Sequence, residues 1–175
     1  RKFKKGYENE VKKLLSKLNL KNDTFVHRDF HVSNLMYVKN NIAVIDSQDA
    51  LIGNKAYDLA SLVDDVRFKT SNKQKNKILN NYFKKLKKNE IKEFVNDFEI
   101  LSVLRNLKII GIFMRLALRD NKKKYAKMIP YAWEIINCRM RKKKEIKGDA
   151  SFRKFFRNKN NRSIVVYAKK EKVKN

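Results

Sequence analysis

The chain is poor in the residues that punctuate and staple a fold: among 175 residues there are one cysteine, one proline and four glycines. A lone thiol, Cys138, closes no internal disulfide, which excludes a disulfide-stapled secreted scaffold and fits a reducing, cytoplasmic compartment. No apolar run approaches the roughly 18 residues of a spanning helix, which argues against a membrane protein. Nor does any N-terminal stretch pair a basic start with an apolar core and a small-residue cleavage site, so no signal peptide is visible. The chain starts at Arg1 rather than Met, and a piece of a longer product is therefore expected.

Acidic residues are scarce as well. Asp and Glu total 18 against 44 Lys and Arg, a net charge of +26. Clustered basic residues release counterions from nucleic-acid phosphates, so this balance invites a polyanion as partner. The distribution weakens that reading: 33 of the basic residues are Lys and only 11 are Arg, 20 residues are Asn, and Lys-Asn runs recur from end to end. A lysine-rich solvated surface accounts for this pattern better than a nucleic-acid patch does.

What is present is enough for a core. Hydrophobic residues make up 42% of the chain, and the length suits one domain or part of one. Residues 3–18 repeat Phe3, Tyr7, Val11, Leu14, Leu15 and Leu18 at helical spacing. After the short apolar pair Phe25-Val26 and a polar cluster, Leu35–Val38 and Ile42–Ile45 flank the turn-prone pair Asn40-Asn41, which predicts a β-hairpin. Helical periodicity then holds over 57–69, 73–88, 90–119 and 124–143. The pattern lapses over 144–150 and becomes strand-like over 152–168, so a second hairpin is expected at the C-terminus. Met residues, Trp133 and the helical aromatics are expected in the core, and Cys138 is expected as a buried thiol on a helix face.

The stretch with chemistry in it is His27-Arg28-Asp29-Phe30-His31-Val32-Ser33-Asn34, followed across the hairpin by Asp46 and Asp49. It matches the kinase catalytic-loop pattern H-R-D-x-x-x-x-N residue for residue, with an acidic residue at the metal-binding position beyond. Phosphoryl transfer needs a hydroxyl positioned in line with a phosphate and cations that neutralise the spreading charge. Asp29 can accept the hydroxyl proton, while the amide oxygen of Asn34 and the carboxylate of Asp46 are hard ligands suited to Mg²⁺. Taken singly, Asp29 reads as a turn or cap residue, Asn34 as an Asx turn and Asp46 as a strand-end acid. Their joint spacing favours the kinase geometry. His27 reads as a structural imidazole, and zinc ligation by His27 and His31 is rejected because the only Cys is distant.

With Ile45-Asp-Ser-Gln-Asp-Ala-Leu-Ile-Gly and Ala56-Tyr-Asp-Leu-Ala-Ser-Leu added, the chain resembles the large lobe of the aminoglycoside phosphotransferase and choline kinase family. Within it, the segment around Asp46 is most similar to the bacterial kinases that phosphorylate the anomeric hydroxyl of N-acetylmuramate and N-acetylglucosamine in cell-wall recycling. The resemblance implies an α+β fold: a protein-kinase-like, mostly helical large lobe over residues 1–143. It implies Asp29 as catalytic base, Asn34 and Asp46 as Mg²⁺ ligands, and Asp58 as an aspartate bracing the catalytic loop. Asp49 is left open between facing the sugar and capping the hairpin. Ser47 stands where protein kinases carry Phe, and with no A-P-E segment the resemblance points to a small-molecule kinase using ATP.

Residues 144–175 are the odd part. Gly148-Asp-Ala-Ser-Phe-Arg and Ser163–Ala168 resemble the start of the small lobe in the same amino-sugar kinases, where that segment precedes the catalytic loop. The resemblance implies phosphate contacts from the backbone N–H groups of Gly148 and Ser151. A basic hairpin without a ligand is the alternative, and Lys169 and Lys170 do not align with the phosphate-pairing lysine. A tandem kinase, a permuted gene and an assembly join all remain open for the order. For the chain as a whole, the expected activity is ATP-dependent phosphorylation of an amino-sugar hydroxyl; the alternatives are an inactive binding or dimerisation module and a basic nucleic-acid-binding protein.

Overall fold

A computed structural model describes residues 2–140, 144–146, 154–157 and 164–167. The chain divides into two compact units, Arg1–Arg139 and Met140–Asn175. In the first, helix α1 (Lys2–Leu15) leads into strand β1 (Asn22–Val26), a short 3-10 turn (Val32–Asn34), and strands β2 (Leu35–Val38), β3 (Asn41–Val44) and β4 (Leu51–Asn54). Helices α2 (Ala56–Val63), α3 (Asn72–Phe83), α4 (Lys88–Leu118) and α5 (Ile129–Met140) follow, with a 3-10 segment, Lys123–Met128, before the last.

The long helix α4 organises this unit because its apolar residues fall on faces that reach different neighbours along its length. Near its start, Phe94, Phe98 and Leu101 pack on Ala56, Ala60 and Val63 of α2, with Ile78, Leu79, Tyr82 and Phe83 of α3 closing the side. The rings interlock: Tyr82 and Phe83 lie 4.8 and 6.1 Å from Phe94, centroid to centroid. Further along, Ile109 and Phe113 pack on Val66 and on Ala132 and Ile135 of α5. The small residues of α2 let the helix backbones approach closely, which is why Ala56 and Ala60 are wholly buried.

Two departures from sequence expectation have local causes. The hairpin register pairs Val38 with Asn41, so its loop is Lys39-Asn40, one residue earlier than the Asn40-Asn41 pair suggested. Both loop residues have positive φ, 46° and 64°, as a type I′ turn demands; the ladder, closed at its far end by Leu35 opposite Val44, sets the register and puts Lys39 where an Asn fits better. The second is an antiparallel pair of β1 with β4, Phe25 opposite Ile52 and Val26 opposite Leu51. Neither segment carries a strong strand signal alone. Gly53 permits the pairing, because a Cβ there would sit 3.0 Å from Leu51 Cδ1 and 3.3 Å from Val26 Cγ2.

Three expectations about burial fail. Cys138 is exposed, Trp133 is 46% exposed, and Met36, Met114 and Met140 lie at the surface. On α5 the buried face is set by Ala132, Ile135 and Ile136, and Trp133 and Cys138 fall on the other side of the 3.6-residue turn. Among the described residues, no helix is long and apolar enough to cross a membrane.

The second unit contains a three-stranded antiparallel sheet, β5 (Lys144–Ile146), β6 (Lys154–Arg157) and β7 (Ile164–Tyr167), in that order. Pairing of β6 with β7 runs from Lys154 opposite Tyr167 to Arg157 opposite Ile164. Strand β5 falls where the sequence pattern lapsed. Gly148 and Ser151 lie outside the described residues, as do Lys169 and Lys170.

Candidate active site

The loop between β1 and β2 is held from both sides by backbone hydrogen bonds to side chains. Asp58, in the first turn of α2, accepts the His27 N–H at 2.7 Å and the Arg28 N–H at 3.0 Å, one on each carboxylate oxygen. A carboxylate is the right group here because two adjacent N–H donors can be met by one rigid pair of oxygens. That bond fixes Arg28 in the left-handed region, φ 73°, and its guanidinium reaches the Asp49 carbonyl at 3.2 Å. Non-glycine residues seldom adopt this conformation, and the strain, about 1–3 kcal/mol, persists only where surrounding bonds over-determine it.

His27 ties the loop to the hairpin. It is buried, and its Nε2 lies 3.0 Å from the Ile45 carbonyl. A carbonyl only accepts, so Nε2 donates, and Nδ1 is buried without a hydrogen-bond partner among the described residues. The ring meets Phe30 edge to face. Among the described residues its contacts are thus a backbone carbonyl and an aromatic ring.

The hairpin then brings Asn34 beside Asp46. The Ile45 N–H donates to the Asn34 carbonyl at 3.0 Å, one rung beyond the β2–β3 ladder, and the next residue is Asp46. The Asn34 side chain donates from Nδ2 to the Asp29 carbonyl at 2.9 Å, and the His31 N–H donates to the same oxygen at 3.0 Å. The planar amide of Asn34 therefore turns Oδ1 away from Asp29. Asp46 also has a left-handed backbone, φ 69°, and one carboxylate oxygen accepts from Gln48 Nε2 at 2.7 Å. Asp29 is half-buried, whereas Asp46 and Asp49 are exposed. The Asp49 carbonyl accepts from Arg28, while its side chain is exposed. The donors offered by Asn34 Oδ1 and Asp46 are hard oxygens, which fit Mg²⁺. Among the described residues no group of three His, Cys, Asp or Glu is disposed to hold a metal, so any ion here would complete its shell with phosphate or water.

Sequence reasoning missed the polar groups that converge from the helices. Asp97 of α4 is fully buried and accepts from the Asn19 and Leu20 N–H groups at 2.9 Å each and from Asn54 Nδ2 at 2.7 Å. Asn54 in turn accepts the Ala56 N–H at 3.0 Å, so the chain Asp97–Asn54–Ala56 sets the start of α2 and thereby Asp58. Asp64 at the end of α2 takes a two-point bond from Arg139 at 2.8 and 3.2 Å, Lys75 at 2.7 Å and Ser102 at 2.6 Å. Burial alone would raise its pKa, but the Arg139 hydrogen bond and the charges of Arg139 and Lys75 outweigh that and leave it below the usual carboxylate value. The signal available in sequence was a pair of acids, Asp64-Asp65, on an otherwise apolar face.

Asp65, Arg105 and His31 form a further buried group near Asp29. Burial, and then the Arg67 charge, lower the His31 pKa and hold its imidazole neutral at pH 7. Burial likewise lowers the Arg105 pKa, opposed by the attraction of Asp65. Tyr57 is half-buried beside Arg105, Arg28 and Asp29, and burial raises its phenol.

Comparison with known proteins fits this geometry. Residues 3–93, more than half of the chain, match the model of the phosphotransferase enzyme family. An N-acetylmuramate/N-acetylglucosamine kinase of Neisseria meningitidis is 37% identical over 130 residues, 71% of this chain and 39% of that protein. Proteins of the same name match from Caulobacter vibrioides, 32% identical over 65% of this chain and 32% of the relative, and from Pseudomonas aeruginosa, 33% identical over 70% and 38%. The chain thus spans about two-fifths or less of the length of these relatives. The loop from His27 to Asn34, the bracing Asp58 and the match over residues 3–93 lead to one conclusion: the chain belongs to the phosphotransferase enzyme family.

Proposed function

We propose that the protein carrying this chain is an ATP-dependent kinase that phosphorylates a hydroxyl of an amino sugar such as N-acetylmuramate or N-acetylglucosamine. The observation that carries the reading is the joining of Asp29, Asn34 and Asp46 through one bond from Asn34 Nδ2 to the Asp29 carbonyl and one from Ile45 N–H to the Asn34 carbonyl. The names of the relatives supply the acceptor. In this reading residues 1–143 act as the large lobe. A cytoplasmic place follows from the same reading.

Asp29 takes the proton from the acceptor hydroxyl as its oxygen bonds to the γ-phosphorus and the bridging bond to ADP breaks. Asn34 Oδ1 and Asp46 would hold Mg²⁺, which when bound would neutralise charge on the phosphates. Asp58 keeps the loop in register through the His27 and Arg28 N–H groups, and His27 fixes the Ile45 end of the hairpin. The test is phosphorylation of N-acetylmuramate and N-acetylglucosamine by the full-length protein with Mg-ATP, read by product mass. Asp29→Ala is expected to lower kcat by about 10²–10⁴-fold, the contribution of a positioned base, with the thermal midpoint unchanged. Undiminished turnover in that variant, or no phosphorylated sugar from the wild type, would end the proposal.

A further inference from the structure

The two side chains offered to a cation at the hairpin are held alike, each with one polar atom spent on a neighbour and one oxygen left over. Asn34 donates from Nδ2 to the Asp29 carbonyl at 2.9 Å and keeps Oδ1. Asp46 Oδ1 accepts from Gln48 Nε2 at 2.7 Å, and Oδ2 accepts no hydrogen bond among the described residues. The backbone around Asp46 is fixed on both sides. Before it, the Ile45 N–H is bonded to Asn34 and the Ile45 carbonyl to His27. After it, the Ala50 N–H donates to the Ser47 carbonyl at 3.0 Å, and Arg28 Nη1 donates to the Asp49 carbonyl at 3.2 Å.

A fixed backbone does not by itself fix an exposed carboxylate, because the last torsion of an aspartate is broad. Among the described residues Gln48 is the side chain that holds this one, at the short end of the N–H···O range. Both residues are exposed, so the bond supports no core and acts only on how the carboxylate is presented. Presentation matters to the choice of ion. Mg²⁺ demands a tight octahedron, keeps several waters and takes few protein oxygens, whereas the larger Ca²⁺ takes more oxygens and readily binds both of one carboxylate. A cation drawing on both Asp46 oxygens has to share or displace the Gln48 bond; a cation drawing on one does not.

We infer that Gln48 is the positioning residue that sets the cation preference of this site: it spends one oxygen of Asp46 and presents the other, which favours Mg²⁺ over Ca²⁺. Gln48 acts through Asp46 and is not itself a ligand. Asn34 is matched to the same end, since its bond to the Asp29 carbonyl also leaves a single oxygen. The inference rests on the reading of Asn34 and Asp46 as cation ligands, and it concerns binding, which can be measured without turnover.

The experiment is Mn²⁺ binding to the full-length protein without sugar or nucleotide, read as loss of the free-ion electron paramagnetic resonance signal and its return on titration with Mg²⁺ or Ca²⁺. Gln48→Met keeps the length of the side chain and removes the donor. The ratio of Ca²⁺ to Mg²⁺ affinity is expected to rise about fivefold or more in this variant, with the thermal midpoint unmoved, because a hydrogen bond to a charged group that opposed two-oxygen binding is lost. A ratio within about twofold of wild type overturns the inference. Asp46→Ala separates that failure from failure of the reading beneath it. Undiminished Mn²⁺ binding in Asp46→Ala, or none by the wild type, refutes Asp46 as a cation ligand and the role of Gln48 with it; binding lost in Asp46→Ala beside an unchanged ratio in Gln48→Met refutes the role of Gln48 alone. A shifted ratio without phosphoryl transfer by the wild type upholds the cation preference and refutes the kinase reading.

Discussion

Asp46 and Asp64 sit in opposite surroundings. Asp46 lies at the exposed end of a hairpin on a left-handed backbone, with Gln48 bonded to one oxygen. Asp64 is sealed among four helices, with Arg139, Lys75 and Ser102 sharing both oxygens. The side that carries the loop from His27 to Asn34 accepts strain at Arg28 and Asp46 and leaves carboxylates accessible. The helical side satisfies Asp64 and Asp97 internally. The contrast puts one residue type in two settings, exposed at a hairpin end and sealed among helices.

The largest effect expected on stability is at Asp64. Asp64→Ala leaves Arg139 and Lys75 partly buried without their anion and is expected to destabilise the fold by about 3–5 kcal/mol in urea melts. If the loss were under about 1 kcal/mol, the two regions would not differ as argued. The folded Asp64 titrates below its unfolded value, so its stabilisation is present at neutral pH, above the ordinary carboxylate range. It is lost as the pH falls through the depressed folded value. Wild-type thermal midpoints are therefore expected to fall on acidification more steeply than those of Asp64→Asn.

Next in size is Asp58→Asn. One of the two N–H bonds to the loop is lost, since the amide offers a single acceptor, and about 1.5–3 kcal/mol of positioning goes with it. Turnover is expected to fall about tenfold or more with the thermal midpoint little moved. A drop in stability as large as that of Asp64→Ala, with turnover intact, would show that Asp58 belongs to the supporting side instead. The smallest effect is at the hairpin turn, where Lys39→Asn suits the left-handed backbone and should raise stability by some 0.4–1 kcal/mol without altering activity.

Much of the candidate site was legible because it is local. Asp29, Asn34 and Asp46 lie within one loop and one hairpin, and residues a few positions apart in a defined turn can be read from spacing. Asp58 was legible only through family resemblance, and the structure shows its work to be two backbone bonds. The one-residue shift of the turn to Lys39-Asn40 was not readable from turn propensity, since ladder pairing overrides it. Trp133 and Cys138 were misplaced for a related reason: α5 buries the face that its neighbours offer, and residue type alone does not say which face that is.

The sequence by itself determined that helices and a central hairpin form in the first unit, because periodicity and turn chemistry act over a few residues, but not that α2 stops at Val63 or that Lys123–Met128 is a 3-10 segment. Tertiary structure alone decided which distant groups meet. Asp97 finds Leu20 across 77 positions and Arg139 finds Asp64 across 75. Such pairs leave no local pattern, because each is fixed by the closing of helices on a shared core. The same closing buries Asp65 and Arg105, which neither residue's neighbours in sequence would reveal.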